Sequence, residues 1–293
     1  MRAGVLNVSK PPGATSFAVV RGLRGLTGAR RVGHAGTLDP LATGVLPILF
    51  ESATRLSDYA HQLPKTYEAM VHLGFRTATD DAEAEPEAVA DPAGLDREAV
   101  AGALTGFVGR IRQRPPAYSA VKVEGKRAYQ RARAGETARP AARDVEIYSA
   151  ELLDFEPGER ATALVRVVCA SGVYLRSLAR DLGERLSVGG YLGRLARTAY
   201  GSMRLDEAIE PDSLKDRAAV EQALLPSEVL LPEMEKVRLT VEQEALVRLG
   251  RSVRVLPEPR ASLLRAHGEG GRLVALGHAD PLKRVFVPDK VLG

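Results

Sequence analysis

From residue 66 to 75 the chain alternates without interruption, with Tyr67, Ala69, Val71, Leu73 and Phe75 falling on one face. A period of two sustained over this length specifies a β-strand with one side packed against a core. Further strand patterns occupy residues 4–8, 119–123, 145–155 and 162–168, and an apolar run fills 45–50. Helical spacing intervenes. Thr15-Ser16 caps a segment carrying Val19, Val20, Leu23 and Leu26, and residues 95–107 read as a second helix. A third follows Ser171-Gly172 with Leu175, Leu178, Leu182 and Leu186. Strands and helices that interleave this irregularly specify an α+β fold, not a doubly wound parallel sheet.

Near residue 210 the texture changes. Pro211, Pro226 and Pro232 punctuate short helical pieces, and a compact unit follows position 237: a helix over 240–249 and strand-like runs at 253–256, 261–266, 273–276 and 284–287. At about 55 residues it stands near the lower size for independent folding.

Several function classes are disfavoured. No apolar run approaches the roughly 18–20 residues that cross a bilayer. The first eight residues turn polar too quickly for a signal peptide, so the cytosol is the expected compartment. Cys169 is the sole cysteine, which removes intrachain disulfides and multi-thiolate metal sites. The histidines at 34, 61, 72, 267 and 278 include no pair at metal-ligand spacing, so a zinc enzyme is not expected.

The net charge of +4 says less than its distribution. Residues 110–144 hold ten Lys/Arg against three acids, whereas 80–98 hold eight acids and one Arg. The basic stretch reads either as a polyanion-binding face or as a solvated, Arg-rich segment.

The most informative string is Gly33-His34-Ala35-Gly36-Thr37-Leu38-Asp39-Pro40-Leu41-Ala42-Thr43-Gly44. Its glycines permit backbone angles and close approaches that other residues resist. Pro40 biases Asp39 towards an extended conformation and stiffens the segment that carries its carboxylate. Such fixed placement is what a catalytic carboxylate requires, although Asp-Pro alone also reads as a surface turn.

This string resembles the active-site loop of the TruB-type tRNA pseudouridine synthases. Four other segments match motifs of that family in the same order: Lys10-Pro11-Pro12-Gly13-Ala14-Thr15-Ser16, Lys65-Thr66-Tyr67-Glu68, Arg114 to Lys122 with Gly125-Lys126-Arg127-Ala128-Tyr129, and Ser171-Gly172-Val173-Tyr174-Leu175-Arg176-Ser177-Leu178-Ala179. Together they span roughly residues 5–205, and an ordered set is far more specific than any one member.

The resemblance implies an α+β catalytic domain over residues 1–235 with a central mixed, mainly antiparallel sheet flanked by helices. It implies an RNA-gripping insertion at about 110–144 and a small PUA-like β domain at 236–293. The implied activity is isomerisation of the T-loop uridine at tRNA position 55 to pseudouridine, with the base flipped out of its stack. Asp39 is implied to open the glycosidic exchange, as nucleophile or as a base on the ribose. Tyr67 is implied to lie against the base and assist late proton removal, and Arg176 to pair with Asp39. A cation at a helix N-terminus is electrostatically disfavoured, which independently predicts an anionic partner for Arg176. His34, Lys10, Thr37, Tyr174, Leu195 and Arg127 are implied to bind substrate. After Leu195 the family often carries two adjacent basic residues; here Ala196 precedes Arg197, which weakens one expected RNA contact.

No redox, metal or nucleotide cofactor is needed, because cleavage, rotation and rejoining conserve all atoms. The expected partner is tRNA through its T stem-loop, with no membrane and no obligate protein partner, and the expected state is a monomer. Three other readings compete with this one. A non-catalytic tRNA-folding chaperone keeps the surface without the chemistry, but Asp39, Tyr67 and Arg176 are all intact. A phosphate-loop enzyme fails because Gly125-Lys126 is followed by Arg127. A guided synthase within a protein–RNA complex is less favoured than a stand-alone enzyme because long basic tails are missing from the sequence.

Overall fold

The computed structural model describes residues 1–118, 140–255 and 261–292, with the backbone of 122–123 and 126–127. Nine strands form the main sheet: β1 (Gly4–Lys10), β2 (Val32–His34), β3 (Thr43–Phe50), β4 (Lys65–Leu73), β5 (Gly109–Gln113), β6 (Arg143–Glu156), β7 (Thr162–Cys169), β8 (Gly190–Tyr200) and β9 (Met203–Arg204). The order is β1-β3-β8-β4-β7-β6-β5, with β2 on β3 and β9 on β8. All these pairings are antiparallel except β3 with β8, which run parallel through Ala196↔Thr43 and Arg197↔Gly44. This is the expected α+β class with a mixed, mainly antiparallel sheet.

Each strand's sequence follows from what covers it. β3 is apolar throughout because both of its faces are buried. Leu46, Ile48 and Phe50 pack on Val19, Val20 and Leu23 of helix α1 (Ser16–Thr27), while Val45 and Leu49 face Tyr200, Leu230 and Met234. β4 alternates because only one of its faces is packed. Ala69, Val71 and Leu73 meet Val100 and Leu104 of α3 (Arg97–Thr105; α2 spans Ser57–Gln62) and Leu178 and Leu182 of α4 (Leu175–Arg185). On its other face Glu68 pairs with Arg166 of β7 at 3.0 Å.

Two of the strands that were not anticipated, β8 and β5, border the site; the short β2 and β9 and the strand Glu235–Arg238 also lie outside the expected runs. β8 runs through the middle of the sheet, but register shifts at Leu192/Arg194 and Arg197/Ala199 break its alternation. Gly193 removes a further apolar marker; a Cβ there would stand 2.3 Å from the His72 ring. β5 pairs with the start of β6, Ile111 opposite Val145, so both ends of the stretch expected as an insertion (110–113 and 143–144) are rungs of the main sheet. The strand expected at 119–123 lies largely outside the described residues; the backbone of 122–123 pairs with 126–127.

After α5 (Arg217–Ala223), the C-terminal unit is a four-stranded sheet, β10 (Glu235–Arg238), β11 (Leu263–His267), β12 (Leu273–Asp280) and β13 (Val285–Val291), with α6 (Val241–Arg248) between the first two. Thr240 and Gln243 form a reciprocal capping box at the start of α6. Val237, Val247, Leu264, Val274 and Phe286 make its core, while Leu276 and Leu292 join the cluster beneath β3. The run expected as a strand at 253–256 contributes one bridge, Val253 to Phe286, and Leu256 lies outside the described residues. Among the described residues no helix is long and apolar enough to cross a membrane.

Candidate active site

The loop carrying Asp39 is held by the end of β1, the turn after it and the first residue of α1. Ser16 accepts the Leu38 amide at 2.9 Å and donates to the Leu38 carbonyl at 3.0 Å. Gly13 N–H donates to the Pro40 carbonyl at 2.9 Å. Lys10 is fully buried and spreads its ammonium over the carbonyls of Pro11, Ala14 and Pro40. Residues on both sides of Asp39 are therefore fixed, while the carboxylate stays open to solvent at 39% side-chain exposure. Burial pulls the Lys10 ammonium down to about 8, with the Asp39 charge opposing the shift. Lys10, expected to meet substrate, is sealed inside and shared by three acceptors, from where it anchors the Asp39 loop.

Arg176, on the first turn of α4, stands beneath this loop. Its Nη2 lies 3.0 Å from Asp39 Oδ2 and its Nη1 lies 3.3 Å from Asp81 Oδ2. The carbonyls of Tyr118 and Thr79 accept from the same guanidinium at 2.9 and 3.3 Å. Arg176 and Asp81 are nearly sealed from solvent, at 7% and 1% side-chain exposure. Asp81 is itself fixed, accepting from Thr79 Oγ1 at 2.5 Å and from the Glu83 amide at 3.0 Å. The result is a carboxylate–guanidinium–carboxylate row whose inner end is buried and whose outer end, Asp39, faces open space.

That space is a cavity of about 450 Å³ bordered by Thr37, Asp39, Tyr67, Tyr174, Arg176 and Leu195. Its volume is in the range of small-ligand sites. Tyr67 and Leu195 each pack against two of the molecule's apolar clusters, so the cavity opens where those cores meet. Burial pushes the Tyr67 hydroxyl above its ordinary value while the Arg197 charge and hydrogen bond pull it back. Tyr174 is clamped by Gln113 of β5, which donates to its carbonyl at 3.1 Å and accepts its amide at 2.8 Å.

Six of the nine expected site residues therefore border one cavity: Thr37, Asp39, Tyr67, Tyr174, Arg176 and Leu195. Lys10 supports it from behind. His34, half-buried at the end of β2, is not on the cavity wall, and burial holds its imidazole below the ordinary value. The Arg127 side chain lies outside the described residues.

Three neighbours were not singled out from the sequence. Asp81 was one of eight acids in a stretch read only as acidic, and burial alone distinguishes it. Gln113 is hidden in the strand that was missed. Arg197, weighed only in relation to RNA contacts, is 1% exposed. Its Nε donates to the Val45 carbonyl at 2.6 Å and its Nη2 to the Gly36 carbonyl at 3.1 Å. Gly44 makes this possible: with φ +98° it lets β3 approach so closely that a Cβ would sit 2.3 Å from the Arg197 carbonyl.

Comparisons with known proteins point to one family. Residues 24–175 match the model of the TruB family pseudouridylate synthase (N terminal domain). A protein of Synechococcus elongatus named tRNA pseudouridine synthase B is 42% identical over 279 residues, 94% of this chain and 93% of that one. One of the same name from Symbiobacterium thermophilum is 45% identical over 246 residues, 84% and 81% of the two chains. Among solved structures, a chain of a Cbf5-Nop10-Gar1 complex superposes with a TM-score of 0.72 at 27% identity, covering 99% of this chain and 85% of that one.

Proposed function

Because the chain belongs to the TruB family of pseudouridylate synthases, enzymes that convert uridine to pseudouridine in tRNA, we propose that its cavity receives the T-loop uridine at position 55. The observation that carries the assignment of residues is the open end of the Asp39–Arg176–Asp81 row on the wall of a cavity that also presents Tyr67. A base turned out of its stack costs a few kcal/mol, and an aromatic platform beside the reacting carboxylate offsets part of that. Tyr67 is that platform. Asp39 acts at the ribose to open the glycosidic exchange, and Arg176, paired with it at 3.0 Å, holds it aimed. Tyr174 and Leu195 shape the walls, and Thr37 lies at the exposed rim.

The wider reading follows the same premise. Residues 1–235 form the catalytic domain, 236–293 a PUA-like RNA-binding domain, and the basic segment between β5 and β6 grips RNA. His34 meets RNA outside the cavity wall, and Arg127 contacts RNA. The enzyme works on the tRNA T stem-loop in the cytoplasm as a monomer, without an obligate protein partner and without a cofactor.

Tritium release from a T-loop tRNA transcript labelled at uridine C5 tests the assignment. Wild type is expected to release the label, and Asp39→Asn to bind tRNA and release none. Binding without release by wild type favours a tRNA-folding chaperone; full activity in Asp39→Asn refutes the choice of carboxylate.

A further inference from the structure

Arg197 heads the largest fully buried side chains among the described residues, and Lys65 is buried beside it. Both border the cavity. Arg197 lies over two aromatic rings, its guanidinium carbon 5.1 Å from the Tyr200 centroid and 6.0 Å from that of Tyr67. Lys65 Nζ stands 4.7 Å from the Tyr200 centroid and donates to the carbonyls of His61 and Leu63 and to Ser171 Oγ. Among the described residues neither cation forms an ion pair. Asp39, the carboxylate on the cavity wall, is engaged by Arg176.

Two buried cations without a carboxylate are unusual, because taking a charge out of water costs several kcal/mol unless an opposite charge compensates. Carbonyls and π-faces compensate in part. The incomplete balance shows at Lys65, whose ammonium burial and the Arg197 charge pull down to about 8. A positive field left unbalanced at the wall of a reaction cavity favours whatever negative charge develops inside it.

The proposed reaction develops such a charge. When the C1′–N1 bond breaks, its electron pair leaves with the uracil, which becomes an anion spread over N1, O2 and O4. The base then turns, C5 bonds to C1′, the C5 proton is lost and N1 takes up a proton, so product and substrate contain the same atoms. Arg176 is poorly placed to serve the departing base, being tied to two carboxylates. Resting on the reading of the cavity as a pseudouridine-forming site, we propose that Arg197, seconded by Lys65, supplies the positive field that stabilises the uracil anion between bond cleavage and rejoining.

A leaving-group test separates this from a merely structural role. A T-loop transcript bearing 5-fluorouridine presents a uracil whose anion the fluorine already stabilises, so it needs less help from the protein. Single-turnover consumption of the target nucleoside is measured on both transcripts. Arg197→Gln is expected to slow the uridine transcript about 100-fold and the fluorinated one no more than about tenfold. Arg197→Lys, which keeps the charge, is expected to recover most of the rate. Should Arg197→Gln fail to fold, Lys65→Met carries the same comparison, with a loss of about tenfold on uridine that disappears on the fluorinated transcript. Equal slowing of both transcripts by a folded neutral variant overturns the proposal and leaves the enzyme assignment standing. A wild-type protein that consumes neither transcript overturns the enzyme assignment and this inference with it.

Discussion

Asp81→Asn removes one charge from the row beneath the cavity and almost nothing else. The asparagine keeps an oxygen to accept from Thr79 Oγ1 and the Glu83 amide, so the turn that carries it is retained. Lost is the attraction to Arg176 Nη1 at 3.3 Å. Two unit charges at that separation attract by about 5 kcal/mol at an effective dielectric near 20, before any desolvation is counted. Breaking a buried pair costs roughly 3–5 kcal/mol where nothing else compensates the stranded ion. Arg176 retains Asp39 at 3.0 Å and two carbonyls, so the expected loss is smaller, about 2–3 kcal/mol. With its inner anchor gone, the guanidinium is free to shift towards Asp39. A displacement of about 1 Å at a reacting group costs on the order of 100-fold in rate. Urea unfolding reads the first quantity and single-turnover isomerisation at saturating enzyme the second. A variant that unfolds at the wild-type urea concentration and turns over at the wild-type rate would refute the view that the buried acid aims Arg176. A stability loss with an unchanged rate would confine Asp81 to a structural part.

Lys65 gives a pH signature. Its ammonium is held at about 8, against 10.5 for an ordinary lysine. Between those values the unfolded chain binds more protons, so the lysine favours the fold as pH rises and loses that contribution as pH falls through about 8. Relative to Lys65→Met, wild type is expected to gain about 2–3 kcal/mol in unfolding free energy from pH 7 to 10.5; a flat difference contradicts the buried charge. Gly44→Ala is expected to lose about 3 kcal/mol or more, because φ +98° strains any side chain and the new Cβ meets the Arg197 carbonyl. A thermal melt unchanged from wild type would contradict the close approach at that seam.

Legibility in the sequence depended on whether a residue's surroundings were local. β4 and β7 each pack one face, and their alternation shows it. The Asp39 loop is signalled by its own glycines and Pro40, and α4 by its leucines. β8 is hidden because bulges interrupt its period, a glycine stands where an apolar marker would be, and the buried residue at its functional end is an arginine. β5 presents Arg110 and Arg112 outwards and offers only a five-residue pattern. The functional arrangement was harder still to read. Asp81 and Lys10 carry charges that pattern reasoning assigns to the surface, and the partners that tie them into the site, Arg176 and Pro40, are distant in sequence. Arg176 was legible because an exposed explanation for it is electrostatically poor. Arg197 had no such clue, since carbonyl acceptors and aromatic faces leave no complementary charge in the sequence.

The position of β8 also governs the order in which the enzyme can come into being. The strands flanking it, β3 and β4, are separated by only a short helical connection, yet they are not paired with each other. One half of the sheet is complete by residue 50, and the other needs only residues up to 169. What joins them, β8, follows both halves in the sequence like a keystone between two arches and brings Leu195 and Arg197 with it. A chain growing from its N-terminus therefore holds Asp39, Tyr67 and Arg176 before it holds a cavity for them. A chain terminated before residue 190 retains every side chain of the acid–arginine row and lacks the strand that joins the two halves of the sheet. Closing the arch requires contacts across more than 150 residues of sequence, from Gly44 to Arg197, and such distant closures are the slow steps of folding.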